Sequence, residues 1–248
     1  QHRGRVESAL DRIRHIFCVS REMMSDTTAE YGVAADRMSI LGNGFNPDVF
    51  RVDGEIETIS GQVVLCAGKF VDWKGFSHAI RAAASWSKDT HLVILGTGPE
   101  ESRSRLEQEA RDSGANVSFP GHVSHLEVAR WLRRADVFLL PSIHEPFGLV
   151  LLEALACGCR VVTGASGGPL DIISPKLKQT EEAILVDPLD STAANDGERY
   201  SRDLSEATQT LLEKDASIEA RREIASTVAH MTWVNVYTDM RQGYCQAL

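Results

Sequence analysis

Glu145-Pro146-Phe147-Gly148-Leu149-Val150-Leu151-Leu152-Glu153-Ala154-Leu155-Ala156-Cys157-Gly158 is the stretch that decides how this chain is read. From Gly148 to Cys157 the residues suit a helix, and Glu153 is the single charge among them. A helix that is apolar nearly all round belongs in an interior. Burying a carboxylate there without a partner is costly. Glu153 therefore either lies along the one wet stripe of a core helix or accepts hydrogen bonds from something bound. Gly148 leaves room for a ligand to approach the amino end of the helix, and Glu145 stands just before it, behind Pro146.

Outward from this helix, short apolar runs alternate with amphipathic ones. The sequence predicts strands at His15–Ser20, Arg37–Leu41, Gln62–Ala67, His91–Leu95, Asn116–Phe119, Asp136–Leu140, Arg160–Thr163 and Ala183–Val186. Helical patterns fall at 2–13, 21–31, 75–86, 100–113, 124–134, 148–157 and 169–174. Runs such as Val-Val-Leu-Cys-Ala and Val-Phe-Leu-Leu are apolar at consecutive positions, as strands covered on both faces of a parallel sheet require. Strand–helix alternation then predicts an α/β fold, a doubly wound parallel sheet with carboxy-terminal helices at Asp203–Lys214, Ser217–His230 and Trp233–Gln246. The polar, small-residue stretch 188–202 reads as a mobile loop. Ligands of such sheets sit beyond the carboxyl ends of the strands, where the glycine-bearing turns of this chain fall.

A chain of 248 residues can bury a sizeable core. Its formal net charge of −9 argues against a nucleic-acid backbone as partner and gives no support to binding an anionic membrane surface. Five scattered cysteines without a Cys-x-x-Cys pair point to reduced thiols and a cytoplasmic setting. Neither a signal peptide nor an apolar run long enough to span a bilayer is visible. Gln1 opens the chain in place of Met, and the expectation is a piece of a longer protein.

Gly68-Lys69-Phe70-Val71-Asp72-Trp73-Lys74-Gly75 follows one predicted strand and opens a helix. Two lysines framed by glycines at a strand-to-helix turn suit an anion, because backbone N–H groups and ammonium charges meet there. Two solvated surface lysines are the plainer reading. Gly96-Thr97-Gly98-Pro99 begins another such turn, and Glu101 occupies the third-glycine place of a dinucleotide fingerprint, so that motif is incomplete. Ser124 and Glu127 stand in capping-box register. His122 and His125 read as surface residues.

The string Glu145-Pro-Phe-Gly followed by Glu153, with Lys69 and Lys74, Gly96-Thr-Gly-Pro, Phe119-Pro-Gly-His-Val and Ala183-Ile-Leu-Val-Asp-Pro, resembles the retaining glycosyltransferases of family 4, enzymes of the two-lobed GT-B fold. Asn43-Gly44-Phe45-Asn46-Pro47-Asp48 resembles the linker joining the two lobes of that family. The resemblance implies that residues 1–50 are the end of an amino-terminal acceptor lobe plus linker. Residues 51–230 are then the nucleotide-sugar-binding Rossmann-like domain, and 231–248 a terminal crossover helix.

It further implies a donor site: Gly68, Lys69 and Lys74 on the diphosphate, Gly121 and Val123 on the nucleobase, and Glu145 on the transferred sugar. The backbone of Phe147, Gly148, Leu149 and Val150 would face sugar and phosphate, with Glu153 on the ribose. Glu145, Lys74 and Lys69 would carry the chemistry. Lys69 stands where the family usually has Arg, which keeps the charge and loses the bidentate fork. No Asp-x-Asp occurs, so no metal and no further cofactor is expected. The expected function is hexosyl transfer from a UDP-, GDP- or ADP-sugar to an unknown acceptor, with this piece alone inactive. A non-catalytic nucleotide-binding module, a glycoside phosphorylase and a sugar-nucleotide epimerase remain alternatives.

Overall fold

Gln62–Ala67 (β3) shows why the chain folds as it does, and a computed structural model places it at the centre of the molecule. Residues 2–10, 12–190, 195–214 and 217–247 are described. In chain order the elements before β3 are α1 (His2–Leu10), β1 (Ile16–Cys18), α2 (Arg21–Tyr31) and β2 (Met38–Ile40). After it come α3 (Phe76–Ala83), β4 (Thr90–Leu95), α4 (Glu100–Ser113), β5 (Val117–Gly121), α5 (His125–Arg134), β6 (Val137–Leu140), α6 (Leu149–Ala156) and β7 (Arg160–Gly164). The chain closes with α7 (Pro169–Ile172), α8 (Pro175–Gln179), β8 (Ala183–Val186), α9 (Asp196–Leu212), α10 (Ile218–Ser226) and α11 (Trp233–Ala247).

Side chains alternate across a strand, and β3 has an apolar residue for each side. Val63, Leu65 and Ala67 enter one core, together with Phe138 and Leu140 of β6, Leu132 of α5 and Leu151 of α6. Val64 and Cys66 enter the other, with Ile80 of α3, Leu106 of α4 and Leu204 of α9. Val63, Val64, Leu65 and Cys66 have no exposed surface. Each such side chain contributes about 1.5–3 kcal/mol by leaving water. A charge at Leu65 would therefore undo both the burial and the strand pairing around it.

All neighbours in the six-stranded sheet are parallel, in the order β5-β4-β3-β6-β7-β8. The chain moves outward from β3 to β5, then returns to start again at β6 on the other side of β3. The strand order reverses between β3 and β6, and ligands of open α/β sheets collect beyond the strand ends at such a switch point.

The first segment builds a separate two-stranded parallel sheet, with Ile16 opposite Met38 and Cys18 opposite Ile40. The connection from it to β3 touches the return path of the chain. Phe45 N–H donates to the Met231 carbonyl at 3.0 Å, and Trp233 N–H donates to the Phe45 carbonyl at 3.2 Å. Beyond that crossing α11 lies back against the small sheet, where Phe17 and Tyr244 meet edge to face at 5.2 Å.

Most predicted elements stand, with ends moved by a residue or two. The predicted loop over 188–202 is corrected: α9 begins at Asp196, while 191–194 lie outside the described residues. Tyr200, Leu204, Ala207 and Leu211 form a buried stripe at helical spacing. Arg199 ties Asp196 and Asp203 on the outer face. The polar composition of 195–202 hid a single buried aromatic. Helix α8 was also missed, although Ser174 caps it and Pro175 opens it.

Candidate active site

Lys74 and Glu145 lie 71 residues apart in sequence and meet across the switch point. Lys74 sits in the turn after β3 and Glu145 in the turn after β6. Lys74 Nζ donates to Glu145 Oε2 at 2.6 Å, with side chains 14% and 8% exposed. Ser142 Oγ donates to the same oxygen at 3.0 Å. The ammonium also stands 4.4 Å from the centroid of the Trp73 ring, a favourable place for a cation. Ile143 N–H donates to the Trp73 carbonyl at 2.9 Å, sewing the two turns together.

Glycines make this close approach possible. Gly75 has φ +69, and a Cβ there would lie 1.9 Å from the Pro141 carbonyl oxygen. A Cβ on Gly96 would lie 1.8 Å from the Gly68 carbonyl oxygen, so the turn after β4 packs directly on the turn after β3. Gly96-Thr97-Gly98 thus shapes the wall of the site through its backbone.

Gly148 caps α6 in a left-handed conformation, φ +90 and ψ +52. Among the described residues nothing accepts from the backbone N–H groups of Phe147, Gly148, Leu149 or Val150. Unused N–H groups at the head of a helix carry partial positive charge and suit an anion. Phe147 is buried beneath Gly42, while Leu149 is 38% exposed. The head of α6 therefore opens outward next to the Lys74–Glu145 pair.

Glu153 is half-buried on the same helix, and nothing among the described residues pairs with its carboxylate. Burial pushes its carboxyl up to about 7. The sequence expectation of a charged Glu153 with a partner is thus met by no protein group. Unpaired in this state, it remains available to a visiting donor of hydrogen bonds.

Lys69 is exposed and forms no ion pair among the described residues, so Lys74 alone of the two lysines reaches Glu145. Gly121 ends β5 with φ +88, its carbonyl accepting from Gly96 N–H at 2.9 Å. Val123 packs partly buried against the core. His122 and His125 are exposed, as the sequence suggested. Ser124 and Glu127 form the full capping box of α5.

Sequence reasoning missed Ser142 as a partner of Glu145, and missed Tyr200 entirely. It also missed Glu22, Asp26 and His144, which bring ligand atoms within 4.8 Å of one another at the rim of the same turn. A groove of about 460 Å³ between α3 and α9, lined by Arg81, Ser85, Arg202 and Gln209, involves none of the expected site residues. The chemistry-bearing side chains gather at the strand ends, and that is where the site is placed.

The sequence model of the family Glycosyl transferases group 1 matches residues 57–210. This chain belongs to that family. Among its curated relatives is the D-inositol 3-phosphate glycosyltransferase of Acidothermus cellulolyticus, 31% identical over 239 residues, covering 88% of this chain and 50% of the relative. The sucrose-phosphate synthase of Thermosynechococcus elongatus superposes with a TM-score of 0.79 at 23% identity, over 98% of this chain and 61% of that one. The Anabaena protein HepE, solved in complex with UDP and glucose, gives 0.77 at 18% identity, over 99% of this chain and 67% of that one. These structural likenesses identify the GT-B glycosyltransferase fold. The group 1 chain spans about half the length of the curated relatives it matches. No helix among its described residues is long and apolar enough to cross a membrane.

Proposed function

We propose that this chain is the donor-binding part of a retaining hexosyltransferase that takes a nucleotide-diphosphate sugar. The observation that carries this reading is the arrangement at the switch point. One ammonium group and one carboxylate stand beside the unused N–H groups at the head of α6, with Glu145 Cγ 3.4 Å from where a Cβ on Gly148 would lie. An ammonium and free N–H groups suit a diphosphate. A carboxylate beside them accepts from sugar hydroxyls. Glu153, just over one turn into α6 and without a protein partner, suits the vicinal diol of a ribose. The turn at Gly121 and Val123 faces the base through its backbone.

Departure of a nucleoside diphosphate leaves negative charge on its outer phosphate while positive charge grows on the sugar ring. Lys74, the exposed Lys69 and the α6 N–H groups would stabilise the leaving charge. Such preorganised electrostatics usually supplies the largest catalytic contribution. The reading requires no metal and no further cofactor. A protein of the same fold, Anabaena HepE, was solved in complex with UDP and glucose, which supports a sugar nucleotide as donor. Full turnover needs an acceptor site, so the chain alone transfers little or no sugar.

Calorimetric titration of UDP, GDP and ADP, each with and without a matching sugar, tests the reading. At least one nucleoside diphosphate binds, and it binds equally well in EDTA. Absence of binding by all three would refute the proposal. Loss of binding in EDTA would refute metal independence and direct attention to Glu22, Asp26 and His144.

A further inference from the structure

Both donors that reach Glu145 land on the same oxygen. Lys74 Nζ and Ser142 Oγ donate to Oε2, at 2.6 and 3.0 Å. Oε1 accepts from nothing among the described residues and is not among the buried polar atoms left without a partner. It is therefore the oxygen open to the site. Ser142 is itself held in place: Tyr200, reaching in from α9, donates its hydroxyl to the Ser142 carbonyl at 3.3 Å. Tyr200 has no exposed surface and Ser142 only 2%. Gly164 of β7 closes the arrangement, since a Cβ there would lie 3.0 Å from the Tyr200 hydroxyl and 3.1 Å from the Ser142 carbonyl oxygen.

A carboxylate held by one donor can swing about its side-chain torsions. Two donors on one oxygen fix the plane of the group, and with it the direction in which the other oxygen points. We propose that Ser142 and Tyr200 are positioning residues that aim Oε1 of Glu145 at a hydroxyl of the transferred sugar. An ionised carboxylate only accepts hydrogen bonds, so the sugar must present a free hydroxyl at that point. This inference rests on the donor-site reading above. Ser142 acts directly on the carboxylate. Tyr200 acts through the main chain of the turn, from a helix outside the site.

The experiment compares nucleotide with sugar nucleotide in the full chain and in Ser142→Ala and Tyr200→Phe. UDP and UDP-glucose, and GDP and GDP-mannose, are titrated into each protein, with thermal midpoints recorded alongside. In the wild type the sugar adds affinity over the bare nucleotide. Ser142→Ala loses about tenfold of that increment, as for one hydrogen bond to a charged group. Tyr200→Phe loses a smaller, several-fold part. Affinity for the bare nucleotide stays within about twofold in both variants. Equal losses for nucleotide and sugar nucleotide would mark a merely structural role and overturn the inference. An unchanged increment would overturn it as well. A wild type that binds none of UDP, GDP and ADP would instead refute the donor-site reading itself.

Discussion

Lys74 and Glu145 form a nearly buried ion pair that bridges β3 and β6, the two strands between which the sheet reverses its order. Breaking a buried pair from one side costs about 3–5 kcal/mol, because the remaining charge loses its compensation. Lys74→Ala leaves a carboxylate enclosed with only the Ser142 hydroxyl. Glu145→Gln leaves an ammonium whose long stem can carry it toward water. Lys74→Ala is therefore the more destabilising of the two, by at least about 1 kcal/mol in denaturant unfolding. Equal losses would show that Glu145 reaches water more freely than its burial implies.

Glu153 is expected to make both stability and nucleotide binding depend on pH. Its carboxyl titrates near 7 in the folded chain because burial disfavours the charge. In an unfolded chain a glutamate titrates near about 4.3. The folded state holds the proton more tightly, so this group stabilises fully below the unfolded value and the contribution is lost as pH rises through 7. Glu153→Gln flattens that part of the stability curve. Nucleotide binding runs the opposite way: hydroxyl donors favour the ionised form, so affinity climbs as pH goes from 6 to 8. A nucleotide affinity that is flat over this range in the wild type would remove Glu153 from the ribose.

Lys69 and Lys74 should separate by salt. An exposed cation acts through a screened field, with a Debye length of about 10 Å at 0.1 M ionic strength and about 3 Å at 1 M. Lys69→Ala is expected to weaken nucleoside diphosphate binding roughly fivefold at low salt and hardly at all near 1 M. The half-buried Lys74 keeps most of its effect at both. A loss on Lys69→Ala that salt leaves untouched would mean a direct, desolvated contact.

Two glycines with similar backbone conformations should respond differently to alanine. Gly148 has its nearest would-be Cβ neighbours at 3.4 Å, an ordinary contact. Only the left-handed conformation penalises Gly148→Ala, about 1–2 kcal/mol. Gly75→Ala meets the Pro141 carbonyl at 1.9 Å and must move the backbone that positions Lys74. Its thermal midpoint falls much further, and nucleotide affinity falls with it. Comparable midpoints for the two variants would count against the close packing of these turns.

The architecture was legible because every central strand needs cover on both faces, and the sequence writes that demand as unbroken apolar runs at β3, β4 and β6. The turns were legible because Gly75 stands where backbone must pass close to backbone and Gly148 where the chain turns left-handed. What could not be read was proximity. Nothing local announces that Lys74 faces Glu145, because their meeting depends on β3 and β6 being neighbours although β4 and β5 come between them in the chain. Ser142 looks like any turn serine until its hydroxyl is seen on that carboxylate. Tyr200 was hidden by its surroundings: seven polar or small neighbours outweighed one aromatic ring, while burial of that ring fixes where α9 begins.

The paired amide bonds at Phe45, Met231 and Trp233 have a mechanical consequence. Outgoing and returning threads of the chain run side by side where the small sheet meets the large one, stitched to each other like two plies of a cord. Any rotation of one unit against the other must wind both plies together. Side-to-side sliding, which would require them to part, is opposed.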